Sequence, residues 1–492
     1  MALSELAGKI VKGSLWTVLM RWSSRLLGII SVIILARLLL PEDYGLVAKA
    51  VLFSSLLELM TQFGFNTALI RNKHATSEQY NTVWTLSILR GVTLALVVWS
   101  CAGIVADFFD EPRIYPLILV YGVTICINGL TNVGIVDFHK QMQFNKDFKL
   151  TILSRLTSFT VTLTIAVLYR SYWAFPLGSL AGALVHLLAS YRMSSFRPWF
   201  SLSAFSSIFN FSKWFFLYES FSALATKCDT FLLSKWGSTE ELGLYTVSSE
   251  IAGMPSTEIA MPVARASLPA LAQHADNLEK FRQLYTQVLV SVLFFAIPAS
   301  VGLSVLADYV VVVVLGAAWA GAAIYIKILA FIGISRVNVA CAVSALAAAG
   351  RADMLGRYSM LMLTVKCVAM AAGMYWYGAV GLAWGALLAS LLGMLLIHQL
   401  QNQLGLIAFA SLYQGLWRVV LAAGVMWSGL YLVLQLQLVQ QWDVSLAVTL
   451  SLVLTGVVLY VLVLMSLWLC VGRPEGPEHK VVQMIAERFS RR

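Results

Sequence analysis

The sequence predicts an all-α protein that crosses a membrane about 14 times, with two parallel six-helix lobes followed by two further helices. Three observations predict this class. The chain is 59% hydrophobic and only 12% charged, apolar runs of membrane-spanning length recur along it, and its beginning resembles a later segment. A soluble protein of 492 residues needs far more charge on its surface, so soluble classes, nucleic-acid-binding proteins among them, are excluded.

The apolar segments are each long enough to cross about 30 Å of hydrocarbon as a helix. They lie at about 15–39, 45–70, 82–106, 114–135, 149–170, 172–192, 213–236, 242–263, 285–306, 320–349, 353–376, 378–400, 413–438 and 444–471. The eighth is the least regular, because Glu250, Glu258 and two prolines interrupt its apolar pattern. The run of β-branched residues between Val310 and Leu315 allows either a helix or a short extended segment.

Lysine and arginine residues are distributed unequally between the two sets of segment ends. Twenty lie at one set of ends or in the termini, whereas only Arg37, Arg113, Arg170 and Lys235 lie at the opposite ends, among nine carboxylates. Positively charged loops are retained on the cytoplasmic side of a membrane. Both termini are therefore predicted to be cytoplasmic.

An internal repeat indicates how the spans are grouped. A shift of 198 residues aligns span one with span seven, and nine of the 34 positions from Ser14 to Val47 are then identical. The matched pairs include Trp16 with Trp214 and, in the turn after the span, Gly45 with Gly243. Six spans separate the two copies, so both copies have the same topology and two parallel lobes follow.

The repeat predicts five parts. They are the N-terminal lobe at 1–192, a cytoplasmic linker at 193–212, the C-terminal lobe at 213–400, the last two spans at 413–471 and a cytoplasmic tail at 472–492. Aromatic residues including Phe196, Trp199 and Phe200 predict that the linker is an amphipathic helix on the membrane surface. The tail is interpreted either in the same way or as disordered.

Ionisable residues inside the spans are candidates for function. Each costs about 2.5–3.5 kcal/mol when it faces lipid, so most of them must line a water-filled lumen or pair with one another. Arg21 and Arg25 share one helix face with Ser24 and Gly28, since an α-helix advances 100° per residue. The small and hydroxylated residues of such a face also allow close helix packing without any lumen.

Cations outnumber carboxylates inside the spans, which predicts a lumen suited to an anionic cargo. The candidate cargo-binding residues are Arg21, Arg25, Lys49, Lys227 and Lys366.

Three carboxylates are candidates for coupling transport to an ion gradient: Glu250, Glu58 and Glu219. Glu250 lies in the middle of span eight on a polar face with Thr246 and Gly253. A carboxylate in a low-dielectric site can take up a proton or hold Na⁺. The alternative for Glu250 is an ion pair with a cation of the lumen.

The sequence predicts no cofactor, no metal site and no enzymatic activity. The six cysteines form no CxxC pair, the six histidines are dispersed, and no phosphate-binding glycine loop is present. Energy for transport is therefore expected from an ion gradient or from the membrane potential.

Several segments resemble the oligosaccharide flippases of the multidrug/oligosaccharidyl-lipid/polysaccharide exporter superfamily, and most closely its colanic-acid-exporter-like polysaccharide branch. They are GSLWTVL at 13–19, ARLLLPEDYGLV at 36–47, FGFNTALIRNKHAT at 63–76, KQMQFNKDF at 140–148 and MPVARASLPALAQ at 261–273. The resemblance implies a V-shaped fold, alternating access, a location in the bacterial inner membrane, and a polyprenyl-diphosphate-linked oligosaccharide as cargo for lipopolysaccharide or exopolysaccharide synthesis. It further implies that cationic lumen residues contact the diphosphate.

The expected partners are the lipid-linked oligosaccharide and membrane lipids, with glycosyltransferases and a polysaccharide polymerase acting beside the protein. Two other functions are alternatives to this one. An ion-coupled antiporter of small organic cations has the same fold but requires a net acidic lumen. A membrane enzyme is expected to carry a large periplasmic loop or a compact cluster of catalytic residues.

Overall fold

A computed structural model describes residues 2–61, 65, 69–70, 75–205, 224–257, 271, 273–274, 277–348, 351–407, 409–436, 444–474, 476–479, 482–483 and 487. Every regular element among these residues is helical, which confirms the all-α class. The helices are α1 Ala2–Leu38, α2 Pro41–Met60, α3 Ser77–Phe108, α4 Ile114–Gly129, α5 Val136–Lys140, α6 Phe144–Tyr169, α7 Ala174–Met193, α8 224–236, α9 Thr239–Pro255, α10 Leu278–Val305, α11 Ala307–Val314, α12 Ala322–Ala348, α13 Ala352–Gln403, α14 Phe409–Gln435 and α15 Leu446–Cys470.

The protein is a multi-pass membrane protein, and every predicted span coincides at least in part with a helix. Among the described residues, nine helices are long and apolar enough to cross a membrane, or ten if α4 and its bent continuation count as one span. Spans eleven and twelve are merged in α13, whose backbone leaves the helical conformation at Tyr377 and Gly378. The total of 14 spans stays a prediction.

Two local expectations are settled by the backbone. The β-branched run before Leu315 is helical, because it forms most of α11. Span eight has Pro255 as its last described α-helical residue, where the missing amide hydrogen removes a helical hydrogen bond.

Contacts divide the chain into two compact units, Met1–Gly243 and Leu244–Arg492. The division falls inside α9, so the first unit contains α8 and the first turn of α9 in addition to α1–α7. The boundary that the repeat predicts between the two lobes, at residues 212 and 213, stays a prediction.

In the first unit, α1 packs on α6, α6 on α7, α3 on α4, and α4 on both α2 and α7. Glycines allow two of these pairs to approach closely. A Cβ atom on Gly178 of α7 would lie 1.8 Å from Thr162 Oγ1 of α6, and one on Gly91 of α3 would lie 3.0 Å from the Cα atom of Gly129. Close approach of backbones at small residues is the usual basis of helix packing in membranes.

The first part of the linker is not the amphipathic helix that its aromatic residues predicted. Helix α7 ends at Met193, and residues 194–201 are in no helix. The first turns of α3 hold this segment instead: Asn81 Oδ1 accepts a hydrogen bond from the Trp199 amide at 2.9 Å, and Thr85 Oγ1 accepts one from Ser201 at 3.0 Å. Residues 206–212 lie outside the described residues.

In the second unit, α10 packs on α12 and α14, α12 on α13, and α14 on α15. Tyr285 of α10 is fully buried and its hydroxyl accepts a hydrogen bond from Gln401 Nε2 at 2.8 Å. His398 Nε2 lies 2.8 Å from Asn338 Oδ1. Such pairing is required of polar groups in an apolar core.

The start of the C-terminal tail folds back against the helices that precede it. Gly472 and Arg473 have φ angles of +83° and +59°, which reverse the chain after α15. The Trp468 indole nitrogen then donates to the Pro474 carbonyl oxygen at 3.1 Å. Glu478 reaches Arg418 of α14, with Oε1 3.0 Å from Nε.

Candidate functional site

The predicted cationic face of α1 is open in the first unit. Arg21 is exposed and Arg25 is half-buried. A Cβ atom on Gly28, one turn further along the same face, would meet no atom within 4 Å. Helix α1 packs chiefly on α6, and this face retains open space at Gly28.

Lys49 and Lys227 occupy different environments in the same unit. Lys49 lies on α2 and is only 4% exposed, with Glu111 and Asp110 as the carboxylates that act on its charge. Lys227 lies on α8 and is half-buried. Lys49 is therefore more buried than the two arginines of α1, and it lies near the loop between α3 and α4.

That loop carries an ionic cluster centred on Arg113. Its Nη2 atom lies 2.7 Å from Glu42 Oε1 at the start of α2, and its Nε atom lies 2.7 Å from Glu111 Oε1. The hydrogen bonds from Arg113 lower the pKa of Glu111 below its ordinary value, since they stabilise the charged form of the carboxyl group. The cluster ties the loop to the N-terminal turn of α2.

The candidate residues of the second unit are Glu250 and Lys366. Glu250 is exposed on α9, and Lys366 is half-buried on α13. Arg336 of α12 reaches the same region of α9, because a Cβ atom on Gly253 would lie 3.2 Å from its Nη1 atom. Gly253 is three residues after Glu250 and lies on the same helix face, so a guanidinium group neighbours the face that carries this carboxylate.

The other two coupling candidates have different outcomes. Glu58 of α2 is half-buried, and Arg90 of α3 is the charged group that acts on it. Arg90 in turn donates to the carbonyl oxygen of Thr61 at 3.2 Å. Glu219 lies outside the described residues.

The second unit also contains a large apolar cavity of about 1230 Å³. Side chains from α10, α12, α13, α14 and α15 line it, from Leu412 near the start of α14 to Leu432 near its end. At a rise of about 1.5 Å per residue, this part of α14 spans most of a hydrocarbon core. Asn338, His398 and Ser428 supply its few polar groups.

One intramembrane charge escaped the sequence analysis. Arg418 lies inside span thirteen, yet it is absent from the polar faces that the helical periodicity identified. Its side chain is 4% exposed and pairs with Glu478 of the tail. A signal was available, because an arginine in an apolar segment requires a partner or a wet cavity, but its partner lies 60 residues further on.

The profile of a family described as "Polysaccharide biosynthesis protein" matches residues 34–324. Similar proteins include the lipopolysaccharide biosynthesis protein WzxC of Escherichia coli (strain K12), which is 22% identical and aligns over 80% of this chain and 81% of its own length. The teichuronic acid biosynthesis protein TuaB of Bacillus subtilis (strain 168) is 24% identical, over 70% and 72%. The succinoglycan biosynthesis transport protein ExoT of Rhizobium meliloti (strain 1021) is 24% identical, over 62% of each chain.

Two solved structures are similar in fold. The lipid II flippase MurJ in an inward closed conformation aligns with a TM-score of 0.73 at 16% identity, over 93% of this chain and 99% of its own. An inward-facing multidrug resistance MATE family transporter of the MOP superfamily aligns with a TM-score of 0.60 at 14% identity, over 80% and 94%. At these identities the likeness concerns the fold alone, and it supports the all-α membrane fold that the sequence predicted.

Proposed function

The chain belongs to the polysaccharide biosynthesis protein family, and from this premise we propose that it is a flippase. Its cargo is a polyprenyl-diphosphate-linked oligosaccharide, which it moves across the bacterial inner membrane by alternating access for the synthesis of a surface polysaccharide. The relatives named for lipopolysaccharide, teichuronic acid and succinoglycan biosynthesis support this cargo class.

The observation that carries the proposal is the open cationic face of α1. Arg21 and Arg25 are separated by one helical turn, and open space follows at Gly28. A diphosphate presents several anionic oxygens, and guanidinium groups bind such oxygens through charge-assisted, bidentate hydrogen bonds. Two arginines in successive turns can therefore bind a diphosphate group and replace the water that it loses when the cargo enters the protein.

The cationic face also argues against the antiporter. A small organic cation would be repelled by Arg21 and Arg25, of which Arg21 is exposed and Arg25 half-buried. The polyprenyl tail of the proposed cargo needs an apolar surface instead, and the cavity along α14 offers one within the second unit. The glycan remains in water.

The protein acts as a transporter and not as an enzyme in this proposal, with both termini in the cytoplasm. Glycosyltransferases assemble the cargo and a polymerase consumes it. An ion gradient or the membrane potential drives the cycle, and Glu250 is the first coupling candidate because it lies exposed on its helix face. Glu58 is the second, although Arg90 acts on its charge.

The test replaces Arg21, Arg25 or Lys227 by Gln in a strain that lacks the chromosomal copy. Each variant is expected to insert at the normal level, to lose surface polysaccharide, and to accumulate lipid-linked repeat units in the inner leaflet. Lys at position 21 or 25 distinguishes the mode of binding: partial activity indicates that a point charge suffices, and loss of activity indicates that bidentate geometry is required.

Arg37→Gln is the matched control, because Arg37 is an exposed arginine near the other end of the same helix. It is expected to retain most activity, since an exposed charge is screened and contributes little. If all three lumen variants restore surface polysaccharide while the protein is present at the normal level, the cationic-site account is refuted.

A further inference from the structure

The two turns that the internal repeat matches contact each other in the first unit. A Cβ atom on Gly45 would lie 1.7 Å from the carbonyl oxygen of Thr239 and 3.1 Å from the nitrogen of Gly243. A Cβ atom on Gly243 would lie 1.8 Å from the carbonyl oxygen of Pro41 and 2.9 Å from the nitrogen of Gly45. Pro41 and Thr239 are themselves 198 residues apart, as Gly45 and Gly243 are.

The contact is therefore reciprocal, in the way of an interface between two copies of one surface. Residue 41 of one turn meets residue 243 of the other, and residue 239 meets residue 45. The first turns of α2 and α9 cross with backbone against backbone, and a side chain at either glycine would force them apart. We call this contact the glycine crossing.

Contacts beside the glycine crossing hold the same elements together. Lys235, at the end of α8, donates to the carbonyl oxygen of Phe108 at 2.6 Å and lies 3.3 Å from Asp110 Oδ2. The ring of Phe231 stacks on that of Phe108 with centroids 6.2 Å apart. The side chain of Lys235 is only 28% exposed, although it lies at the end of a span. These partly exposed bonds are weak enough to form and break in each cycle.

The glycine crossing lies at the ends of the spans that charge distribution predicts to be periplasmic, among Glu42, Asp110 and Glu241. Lys49 follows Gly45 by one helical turn on the same face of α2, and it is buried. The crossing thus separates the candidate cation at position 49 from the predicted periplasmic surface.

Building on the flippase proposed above, we propose that the glycine crossing is the periplasmic closure of the transport path. The path is sealed when the first turns of α2 and α9 touch. It opens to the periplasm when residues 224–243 separate from α2 and α3, which breaks the bonds of Lys235 with Phe108 and Asp110. In this cycle Gly45 and Gly243 allow the seal, and Lys235 stabilises it.

The first test measures closure without any cargo. In a background whose native cysteines are replaced by serine or alanine, Lys49→Cys is labelled with a membrane-impermeant thiol reagent added from the periplasmic side, in cells that make no lipid-linked glycan. Gly45→Ala and Gly243→Ala are each expected to raise the labelling rate about tenfold, the scale of one methyl group forced into a tight contact. Gly103→Ala is the matched control, because a Cβ atom there meets nothing within 4 Å.

Lys235→Gln keeps the test decisive if an alanine at a glycine position prevents folding, since it removes the bonds to Phe108 and Asp110 and adds no bulk. It too is expected to speed labelling. Labelling that is as fast in the parent protein as in the variants overturns the proposal, and so does labelling that Lys235→Gln leaves unchanged.

The second test asks whether the closure must open. Asp110→Cys with Lys235→Cys is joined by a reducible bifunctional thiol reagent, and surface polysaccharide is expected to stop and to resume after reduction. Transport that continues at full cross-linking overturns the proposal. Labelling at position 49 needs no cargo, so a failure of the cargo proposal, seen in the Arg21 and Arg25 variants, is distinguishable from a failure of this one.

Discussion

The buried ion pair of Arg418 and Glu478 gives the sharpest prediction for stability. The two side chains are 4% and 0% exposed, and they join α14 to the tail through one hydrogen bond of 3.0 Å. Glu478→Ala leaves the guanidinium of Arg418 without its carboxylate. Because an uncompensated buried charge loses both hydration and its partner, the expected destabilisation is about 3–5 kcal/mol.

The complementary variant removes both charges. The Oε2 atom of Glu478 is buried and has no hydrogen-bond partner among the described residues, so the pair recovers only part of its desolvation cost. Arg418→Met together with Glu478→Leu is therefore expected to be neutral or to stabilise the protein by about 1–4 kcal/mol, as apolar replacements of buried ion pairs commonly do.

Thermal unfolding of the detergent-purified protein measures both effects. For a unit the size of Leu244–Arg492, about 2–4 °C per kcal/mol turns the loss in Glu478→Ala into a fall in Tm of about 6–20 °C. Glu279→Gln is the control, because Glu279 forms an exposed ion pair with Arg282, and it should leave Tm nearly unchanged. A double variant as unstable as Glu478→Ala refutes the reasoning, and so does a Glu478→Ala protein that unfolds at the parent temperature.

Three further predictions concern topology, coupling and pH. A reporter at Phe109 should be periplasmic and one at Asn145 cytoplasmic; finding Asn145 and the C-terminus on opposite sides would contradict an even number of spans. Glu250→Gln should abolish the dependence of transport on a proton or Na⁺ gradient, and unchanged dependence in transport assays would exclude coupling there. Arg113 holds the pKa of Glu111 below its ordinary value of 4.5. The stability that Glu111 contributes is therefore complete above pH 4.5 and is lost as the pH falls through the lower pKa of the folded state. In thermal scans between pH 3 and 6, the variant R113Q should lack this loss of stability.

The length of the apolar segments predicted the helices well, because a backbone in a bilayer must form its own hydrogen bonds and a helix allows this. Span five, predicted at 149–170, is helix α6 from Phe144 to Tyr169. In hydrocarbon every amide must be paired within its own segment, so hydropathy alone fixes where helix occurs. The helix begins before the apolar run, within the preceding loop. Hydropathy gives no information there, and local hydrogen bonds determine where the helix begins.

The linker shows where this logic stops. Its aromatic residues have the composition of an interfacial helix, but amide groups at the membrane surface can pair with any polar side chain nearby. Asn81 and Thr85 of α3 accept hydrogen bonds from two of them. These partners lie more than 100 residues away in sequence, so no local pattern could reveal that the segment would not form a helix.

The candidate site was predictable to the same limited degree. Periodicity placed Arg21 and Arg25 on one face, and α1 leaves that face open. Lys49 is also a cationic residue inside a span, but it is buried, because helical position gives the direction of a side chain and not what packs against it. Arg418 was missed for the related reason that its partner is in the tail.

The glycine crossing depends on both kinds of information. Sequence comparison identified Gly45 and Gly243 as equivalent positions, which says only that the two turns have a common form. In the folded protein each turn packs on the other, residue 41 on 243 and residue 239 on 45. Each of the two residues at the crossing faces its own equivalent in the repeat. The same close contact therefore requires that both positions lack a side chain. The glycine found at this position in both copies is then explained by a single contact, and changing either glycine should impair the same closure to a similar extent.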